Sequence, residues 1–326
     1  MDLLDIARSS VAFIFPGQGT QYVGMGRELY DSSPAARAIF AEADETLGFS
    51  LSRLCFEGPE DELRDTVNAQ PAILTVSIAC LAALRERWEA LGRLVTPLFV
   101  AGHSLGEYTA LVAAGVLDFA DALRLVRERG RLMKEAGEHQ PGGMAAIIGL
   151  SEERVVEVCR QAEAEGTIAM ANANSPAQVV LSGEVRALER AMDLAREFGA
   201  RKVERLSITI ASHSPLMQRA AQQFAELLNH VRLRDPQVPV VANITGRALT
   251  TAEEIKAELA EHLIGPVRWS QSVGEMINNG VETFVEIGPG AVLSGLVRRI
   301  TRDVQAIPSL HLPILANPQS QPTGAN

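Results

Sequence analysis

The sequence is poor in several features that mark specialised classes of protein. Its 326 residues include three cysteines, Cys55, Cys80 and Cys159, and only 5% aromatic residues. The cysteines are odd in number, widely spaced and form no C-x-x-C pair, so we expect neither a disulfide framework nor a thiolate metal site. A formal net charge of −10, with no basic patch interleaved with aromatic residues, disfavours nucleic acid as a partner.

Long apolar runs and targeting signals are also lacking. No uninterrupted apolar run reaches the length of about eighteen residues that a membrane span needs. The N-terminus, MDLLDIARSS, has acidic residues where a signal peptide would have basic ones. With 47% hydrophobic and 21% charged residues, the chain can bury an ordinary globular core. We therefore expect a cytoplasmic protein with no membrane partner.

Short apolar strands and long amphipathic segments alternate over the first part of the chain. The segments VAFIFP (11–16) and PLFVAG (97–102) each run into a glycine-rich turn, and residues 34–47, 70–88 and 118–136 have helical periodicity. This alternation predicts an α/β fold with a mostly parallel sheet covered by helices on both faces.

The pattern changes after the turn-rich segment EHQPGG (138–143). From there to residue 208 the predicted order is β-α-β-β-α-β, which is the ferredoxin-like split motif. Apolar strands VPVVAN (238–243) and VETFVEIG (281–288) then resume the first pattern. The sequence thus predicts a large domain in two parts, 1–137 and 209–326, with a small ferredoxin-like domain, 138–208, inserted between them. The polar segment 316–326 predicts a disordered tail.

The segment FVAGHSLGEYTALVAAGV (99–116) places Ser104 between two glycines, after an apolar strand and before a predicted helix. This is the setting of a nucleophile elbow, although a structural serine in a glycine-rich loop would give the same short motif. If it is an elbow, the backbone N–H of Leu105 at the helix start is available to a developing oxyanion.

A serine nucleophile needs a base, and the chain has six histidines. His103 should point away from Ser104, His139 lies in the predicted hinge, His230 and His262 end helical segments, and His311 is near the tail. His213 follows a strand and precedes Pro215 and a new helix, where sheet enzymes place catalytic side chains. A buried structural histidine would fit the same position.

Two further polar residues have a candidate role. Gln18, in FPGQGTQ after the first strand, offers amide donors beside glycines, either for an oxyanion or as part of a tight turn. Arg129 lies on the same helical stripe as Ala122, Val126 and Met133, so its guanidinium should face inward. A buried arginine needs an anion, which could be a structural carboxylate or one brought by a ligand.

Seven motifs in this order resemble those of malonyl-CoA:acyl carrier protein transacylases and the related acyltransferase domains of polyketide synthases. They are FPGQGTQYVGMG, GHSLGEYTALVAAG, RERGRLM, MANANSPAQVVLSG, SHSPLM, PVRW and EIGPGAVLSGL, and they extend over nearly the full chain. The resemblance implies an α/β-hydrolase-like large domain with an inserted ferredoxin-like small domain and an active site between them.

The resemblance also assigns roles to matching residues. It implies that Ser104 is the acyl-accepting nucleophile, that His213 is its base, and that Gln18 and the Leu105 backbone form the oxyanion hole. Arg129 would bind the malonyl carboxylate. A backbone carbonyl shortly before PVRW would orient the base, and counting back from Pro266 places His262 there. The remaining expected substrate-binding residues are Met133, Ser212, Asn172 and Asn174.

The implied reaction is transfer of a malonyl group from malonyl-CoA to acyl carrier protein, in fatty acid or polyketide biosynthesis, with no metal or redox cofactor. Leu105 is of the malonyl type, whereas methylmalonyl enzymes tend to have Gln there. Ser212 is typical of polyketide acyltransferases that select methylmalonyl, but it also occurs in malonyl-selective relatives of fatty acid synthesis, so we favour malonyl over methylmalonyl. A thioesterase and a catalytically inactive carrier-protein-binding module are the alternatives. Docking of the acidic carrier protein would require a local basic patch. The available clusters are Arg298, Arg299 and Arg302, and Arg201, Lys202 and Arg205.

Overall fold

The computed structural model describes residues 3–309 and Leu312. His311 and the segment 316–326, for which the sequence predicts a disordered tail, lie outside the described residues. Within them the strands are β1 Val11–Phe15, β2 Phe99–Gly102, β3 Gly142–Ile148, β4 Ile168–Ser175, β5 Gln178–Glu184, β6 Lys202–Arg205, β7 Val240–Val241, β8 Ala248–Leu249, β9 Thr283–Glu286 and β10 Gln305–Pro308.

The helices of the described residues cover both sheets. They are α1 Leu3–Ile6, α2 Arg27–Ser32, α3 Pro34–Leu47, α4 Leu51–Glu57, α5 Glu60–Arg64, α6 Thr66–Ala90, α7 Leu105–Ala113, α8 Phe119–His139, α9 Glu152–Ala162, α10 Val185–Glu197, α11 Gln218–Leu228, α12 Ala252–Glu261, α13 Trp269–Asn278 and α14 Val292–Ile300. Two short 3-10 helices, Glu163–Glu165 and Pro215–Met217, complete the regular structure.

A six-stranded sheet of order β10-β9-β1-β2-β7-β8 forms the centre of the large domain. Its neighbouring strands are parallel except for β7 and β8, which are antiparallel. Side chains of β1 alternate between two hydrophobic clusters: Phe13 and Phe15 join one, whereas Ala12 and Ile14 join the other. Both faces of the sheet are therefore covered, which explains why β1 is apolar at every position.

The second sheet has four antiparallel strands in the order β4-β5-β3-β6. Along the chain the elements follow the order β3-α9-β4-β5-α10-β6, as the ferredoxin-like motif requires. The α/β class with two sheets is thus confirmed. The domain boundaries at 138 and 208 stay a prediction, since nothing tests them at single-residue precision.

Local sequence determines where helix α3 begins and ends. The Ser33 hydroxyl accepts a hydrogen bond from the Ala36 N–H, Pro34 occupies the first turn, and Gly48 closes the helix in a left-handed conformation. The helix therefore covers the predicted residues 34–47. By contrast, α8 continues through His139, which is the last residue of the helix and not part of the hinge.

Helix α6 is long and apolar enough to cross a membrane when judged by length and composition alone. It is not an uninterrupted apolar run in the sequence, because single polar residues such as Thr75 and Ser77 lie within it. Of its most apolar stretch, 83% is buried inside the protein. Its apolar side chains therefore form part of the large-domain core.

Candidate active site

Ser104 lies at the sharp turn between β2 and α7, with φ 50° and ψ −111°. This backbone conformation is uncommon for a residue with a side chain and indicates local strain. The turn is tight because the Gly102 and Gly106 backbones nearly touch: a Cβ on Gly102 would lie 1.9 Å from the Gly106 carbonyl carbon. The glycines on either side of Ser104 therefore make the elbow possible, as the sequence motif predicts.

His213 lies directly against Ser104, with 2.8 Å between its Nε2 and the Ser104 Oγ. Its Nδ1 is 2.9 Å from the Gly265 carbonyl oxygen. Because a carbonyl can only accept, Nδ1 bears the proton and Nε2 is free to accept from the serine hydroxyl. His213 has φ 57°, and Ser104 and His213 are the two non-glycine residues with positive φ in the described part of the chain.

The predicted position of the orienting carbonyl was wrong. We expected the carbonyl of His262, but the Gly265 carbonyl, immediately before PVRW, holds the base. His262 is the C-cap of α12, so its carbonyl belongs to the end of that helix, and the chain needs three more residues to reach His213. The Leu263 carbonyl accepts from the His213 backbone N–H at 3.0 Å, which places this whole segment against the base.

The helical segment that His262 ends has the periodicity of a surface helix, but the His262 side chain does not lie at the surface. It is fully buried, and its ring meets the His213 ring edge-on with centroids 5.7 Å apart. Its Nε2 lies 3.5 Å from Oε2 of the buried Glu107. Burial lowers the pKa of His262 well below its usual range, so the ring is neutral beside the base.

Arg129 is buried, as its helical stripe predicts, with 1% of its surface exposed. Its Nη2 donates to the Ser104 Oγ at 3.1 Å and its Nη1 donates to the Gln70 Oε1 at 2.8 Å. Among the described residues no carboxylate forms an ion pair with it. The guanidinium is therefore a buried cation beside the serine, with no carboxylate partner among the described residues.

A chain of polar side chains leads from Arg129 to the loop after β1. The fully buried Gln70 donates to the Thr66 Oγ1 at 2.9 Å and to the Met133 Sδ at 3.4 Å. Thr66 in turn donates to the Gln18 Oε1 at 2.9 Å. Because the Gln18 oxygen is occupied, its amide nitrogen is the group that remains for a ligand. Met133 and Gln18 both line the cavity in front of Ser104.

The small sheet contributes to the same site through β4. The Asn174 Oδ1 lies 2.8 Å from the His103 Nε2, which confirms that the His103 side chain points away from Ser104. At Asn172 the strand forms a bridge to Val267, one residue after Pro266. Both asparagines are more than nine-tenths buried and line the cavity. They connect the two domains at the site, and nothing yet tests a role in binding substrate.

The residues predicted for catalysis and binding converge on one cavity of about 670 Å³ between the two sheets. Its lining includes Gln18, Ser104, Arg129, Met133, Asn172, Asn174, Ser212 and His213. Burial lowers the pKa of His213 well below its usual range, and the neighbouring His262 and Arg129 lower it further. His213 is therefore neutral at physiological pH, and its Nε2 can accept a proton.

Leu105, whose backbone N–H is the second predicted oxyanion donor, is the first residue of α7. The first N–H groups of a helix have no acceptor within the helix, and they lie at the positive end of its dipole. His262 is the one predicted substrate-binding residue outside the cavity lining, since it lies behind His213.

Sequence reasoning missed two buried residues at the site, Gln70 and Asn243. Gln70 stands in an otherwise apolar stretch of α6, and a buried amide there signals a polar partner. Asn243 follows β7 at the edge of the parallel sheet where β2 also ends, a position that often bears functional side chains.

The basic clusters proposed for docking differ in their availability. Arg298 donates to the Ala306 carbonyl at 2.6 Å, and Lys202 and Arg205 pair with Glu204 and Glu189. Arg299 lines the cavity and donates to the Gln178 Oε1 at 2.8 Å. A role for these residues in docking stays a prediction.

Comparison with known proteins agrees with this geometry. A family model described as Acyl transferase domain matches residues 12–317. The chain is 47% identical over 300 residues to the malonyl CoA-acyl carrier protein transacylase of Bacillus subtilis (strain 168), which covers 92% of this chain and 93% of that protein.

Two solved structures have the same fold. An acyl carrier protein S-malonyltransferase from Vibrio cholerae O1 biovar eltor has a TM-score of 0.87 and 41% identity, covering 92% of this chain and 96% of that one. A type II PKS acyl-carrier protein in complex with its malonyl-transacylase contains a chain with a TM-score of 0.89 and 41% identity, covering 94% and 98%. The chain therefore belongs to the acyl transferase domain family, in which its relatives are malonyl CoA-acyl carrier protein transacylases.

Proposed function

We propose that this protein is an [acyl-carrier-protein] S-malonyltransferase, which moves a malonyl group from malonyl-CoA to the phosphopantetheine thiol of acyl carrier protein. The observation that supports it most is the position of one hydroxyl. The Ser104 Oγ lies 2.8 Å from the Nε2 of a neutral histidine and 3.1 Å from the Nη2 of a buried arginine without a carboxylate partner in the described structure. Nucleophile, base and acid-recognition group thus meet at a single point.

In the first half-reaction the Ser104 Oγ attacks the thioester carbonyl of malonyl-CoA while His213 Nε2 takes its proton. The negative charge on the carbonyl oxygen is stabilised by the Leu105 N–H and by the Gln18 amide. The Gly265 carbonyl stabilises the imidazolium through Nδ1. Collapse of the intermediate breaks the C–S bond, CoA leaves as a thiol with the proton from His213, and malonyl-Ser104 remains.

The second half-reaction reverses these roles. The pantetheine thiol of the carrier protein enters the cavity and passes its proton to His213 Nε2 as its sulfur attacks the ester carbonyl. The C–O bond to Ser104 then breaks, and His213 returns the proton to the serine oxygen. Each step uses only groups of this chain and its two substrates.

Arg129 would select the acyl group through the free carboxylate of malonate. Its planar fork can bind a carboxylate with two parallel hydrogen bonds, a geometry that an acetyl group cannot use. A buried guanidinium without an anionic partner is unfavourable. The carboxylate of a bound malonyl group would supply the negative charge that the protein does not provide.

Intact-mass analysis tests this proposal. Brief exposure to malonyl-CoA should add one malonyl group to the protein, and subsequent addition of holo acyl carrier protein should remove it as malonyl-carrier protein. Ser104→Ala should fold normally and remain unlabelled. Labelling of that variant would refute the nucleophile, and release of free malonate in place of malonyl-carrier protein would favour a thioesterase.

We place the protein in the cytoplasm, in fatty acid or polyketide biosynthesis. Support comes from the burial of the long apolar helix α6 and from relatives and solved structures that are named for an acyl carrier protein.

A further inference from the structure

We infer that Asn243 is a positioning residue that holds the nucleophile elbow in its reactive conformation; this inference rests on the proposed function of Ser104. Asn243 lies two residues beyond the end of β7, which pairs with β2, the strand that leads into Ser104. It is 1% exposed and 139 residues distant from Ser104 in sequence.

The Asn243 side chain contacts both sides of the strained turn. Its Oδ1 accepts from the Ser104 backbone N–H at 2.7 Å, and its Nδ2 donates to the Gly102 carbonyl at 2.7 Å. A backbone N–H can only donate and a carbonyl can only accept, so the orientation of the amide is fixed by its partners. The amide has its acceptor and its donor on separate atoms, so one side chain can bind both backbone groups at the same time.

Asn243 is in turn anchored to the helix that begins after the nucleophile. Its backbone N–H donates to the Glu107 Oε2 at 2.9 Å, and the Glu107 N–H donates to the Ser104 carbonyl at 3.0 Å. These three residues close a ring of hydrogen bonds around the elbow. The ring lies on the side of Ser104 away from the substrate cavity, because neither Asn243 nor Glu107 is among the lining residues.

The ring has a direct consequence for the chemistry. The backbone angles of Ser104 determine where its Oγ lies relative to His213 and where the following N–H, that of Leu105, points. A conformation this uncommon relaxes unless the surroundings hold it. Asn243 therefore positions the nucleophile and one oxyanion donor together, although it touches neither substrate nor reacting atoms.

The test uses a fluorophosphonate probe, which reacts with an activated serine whatever acyl group the enzyme prefers. Asn243→Ala should lower the second-order rate of Ser104 labelling by about 100-fold, comparable with loss of an oxyanion donor. Acylation by malonyl-CoA should slow by a similar factor in kcat, with KM within about twofold of the parent. Asn243→Asp keeps the acceptor for Ser104 but in its ionised form has no donor for Gly102, and above pH 8 it should lose about tenfold.

Ser272→Ala is the matched control for stability. The buried Ser272 hydroxyl donates to the carbonyl of Ala242, the residue before Asn243, at 3.2 Å. This variant should lower Tm without slowing the labelling of Ser104. The inference is overturned if Asn243→Ala reacts within threefold of the parent, if its loss appears in KM alone, or if labelling in both variants simply follows Tm.

The Asp variant decides the test if the Ala variant does not fold, and labelling at the parent rate would then overturn the inference. The two proposals can be distinguished. If the parent protein reacts with the probe and not with malonyl-CoA, the proposed function fails while the role of Asn243 can still be measured.

Discussion

Arg129 is the residue on which the proposed acyl selectivity depends. Arg129→Ala should slow malonyl transfer by about 100-fold, equivalent to roughly 3 kcal/mol for a lost charged contact, while acetyl transfer is retained or improved. Initial rates with malonyl-CoA and acetyl-CoA at equal carrier-protein concentration measure the effect.

Arg129→Lys is the matched control for charge, because it keeps a cation without the planar fork. It should recover only part of the malonyl activity. An equal loss of malonyl and acetyl transfer in the Ala variant, with the fold intact, would show that Arg129 does not select the acyl group.

The lowered pKa of His213 predicts activity at acid pH. The base works in its neutral form, and burial keeps its pKa well below 6.5, so the rate should stay level as pH falls through 6.5 and decline only below that value. Arg129→Gln removes a neighbouring cation that lowers this pKa, and should move the acid limb upward.

The rate of fluorophosphonate labelling between pH 4.5 and 8 measures the acid limb of the parent protein and that of Arg129→Gln. The probe has no group that titrates in this range. A limb centred at or above pH 6.5 in the parent protein would contradict a buried neutral base.

Gly106, in the first turn of α7, illustrates how closely the elements pack. A Cβ at this position would lie 2.0 Å from the carbonyl oxygen of Phe15, at the end of β1. The backbone of neither element can move away without breaking the sheet, so Gly106→Ala should lower the free energy of unfolding by at least about 3 kcal/mol. Urea denaturation measures the change.

Gly274 provides the matched control, because it lies within α13 and an added Cβ would meet no atom within 4 Å. Alanine is preferred over glycine in a helix, so Gly274→Ala should be stabilising by about 0.5–1 kcal/mol. Equal effects of the two substitutions would mean that the contact with β1 is not as close as described.

Elements with local signals could be predicted from the sequence, whereas contacts between distant segments could not. Helix α3 is marked by its own cap, proline and glycine, and the elbow by the glycines beside Ser104. The Gly265 carbonyl has no such mark, since any residue has a carbonyl and only the path of the chain after α12 brings this one to the base. The same holds for Asn243, whose partners lie more than 130 residues earlier.

The stability of the whole protein depends on pH through two carboxyl groups buried in its core. Burial raises the pKa of Glu107 to about 8, and likewise that of Glu258 to about 8. Their usual value is 4.5, so between these values the folded protein binds protons that the unfolded chain releases. The free energy of unfolding should therefore fall as pH rises from 7.5 to 8, by up to about 1.4 kcal/mol per pH unit for each group.

The buried histidines do not oppose this trend in that range. The pKa values of His213 and His262 lie below 6.5 in the folded protein and near 6.5 in the unfolded chain, so above about pH 7.5 both are mostly neutral in either state. Glu107→Gln keeps an acceptor for the Asn243 N–H and should flatten the dependence. Parallel pH curves for the parent and variant, measured by urea denaturation, would rule out Glu107 as a source.

The connection between β4 and the segment before α13 bears on how this enzyme can be recombined with its relatives. The Val267 N–H donates to the Ala171 carbonyl at 2.8 Å and the Ala173 N–H donates to the Val267 carbonyl at 2.9 Å, two residues from the carbonyl that holds His213. Because these hydrogen bonds join backbone groups, the small domain of a relative can form the same bonds even where its side chains differ. A chimaera should thus tolerate many substitutions in β4. A single-residue deletion before Ser175 would instead shift the register of β4 against Val267, and this shift would displace the Gly265 carbonyl that orients His213.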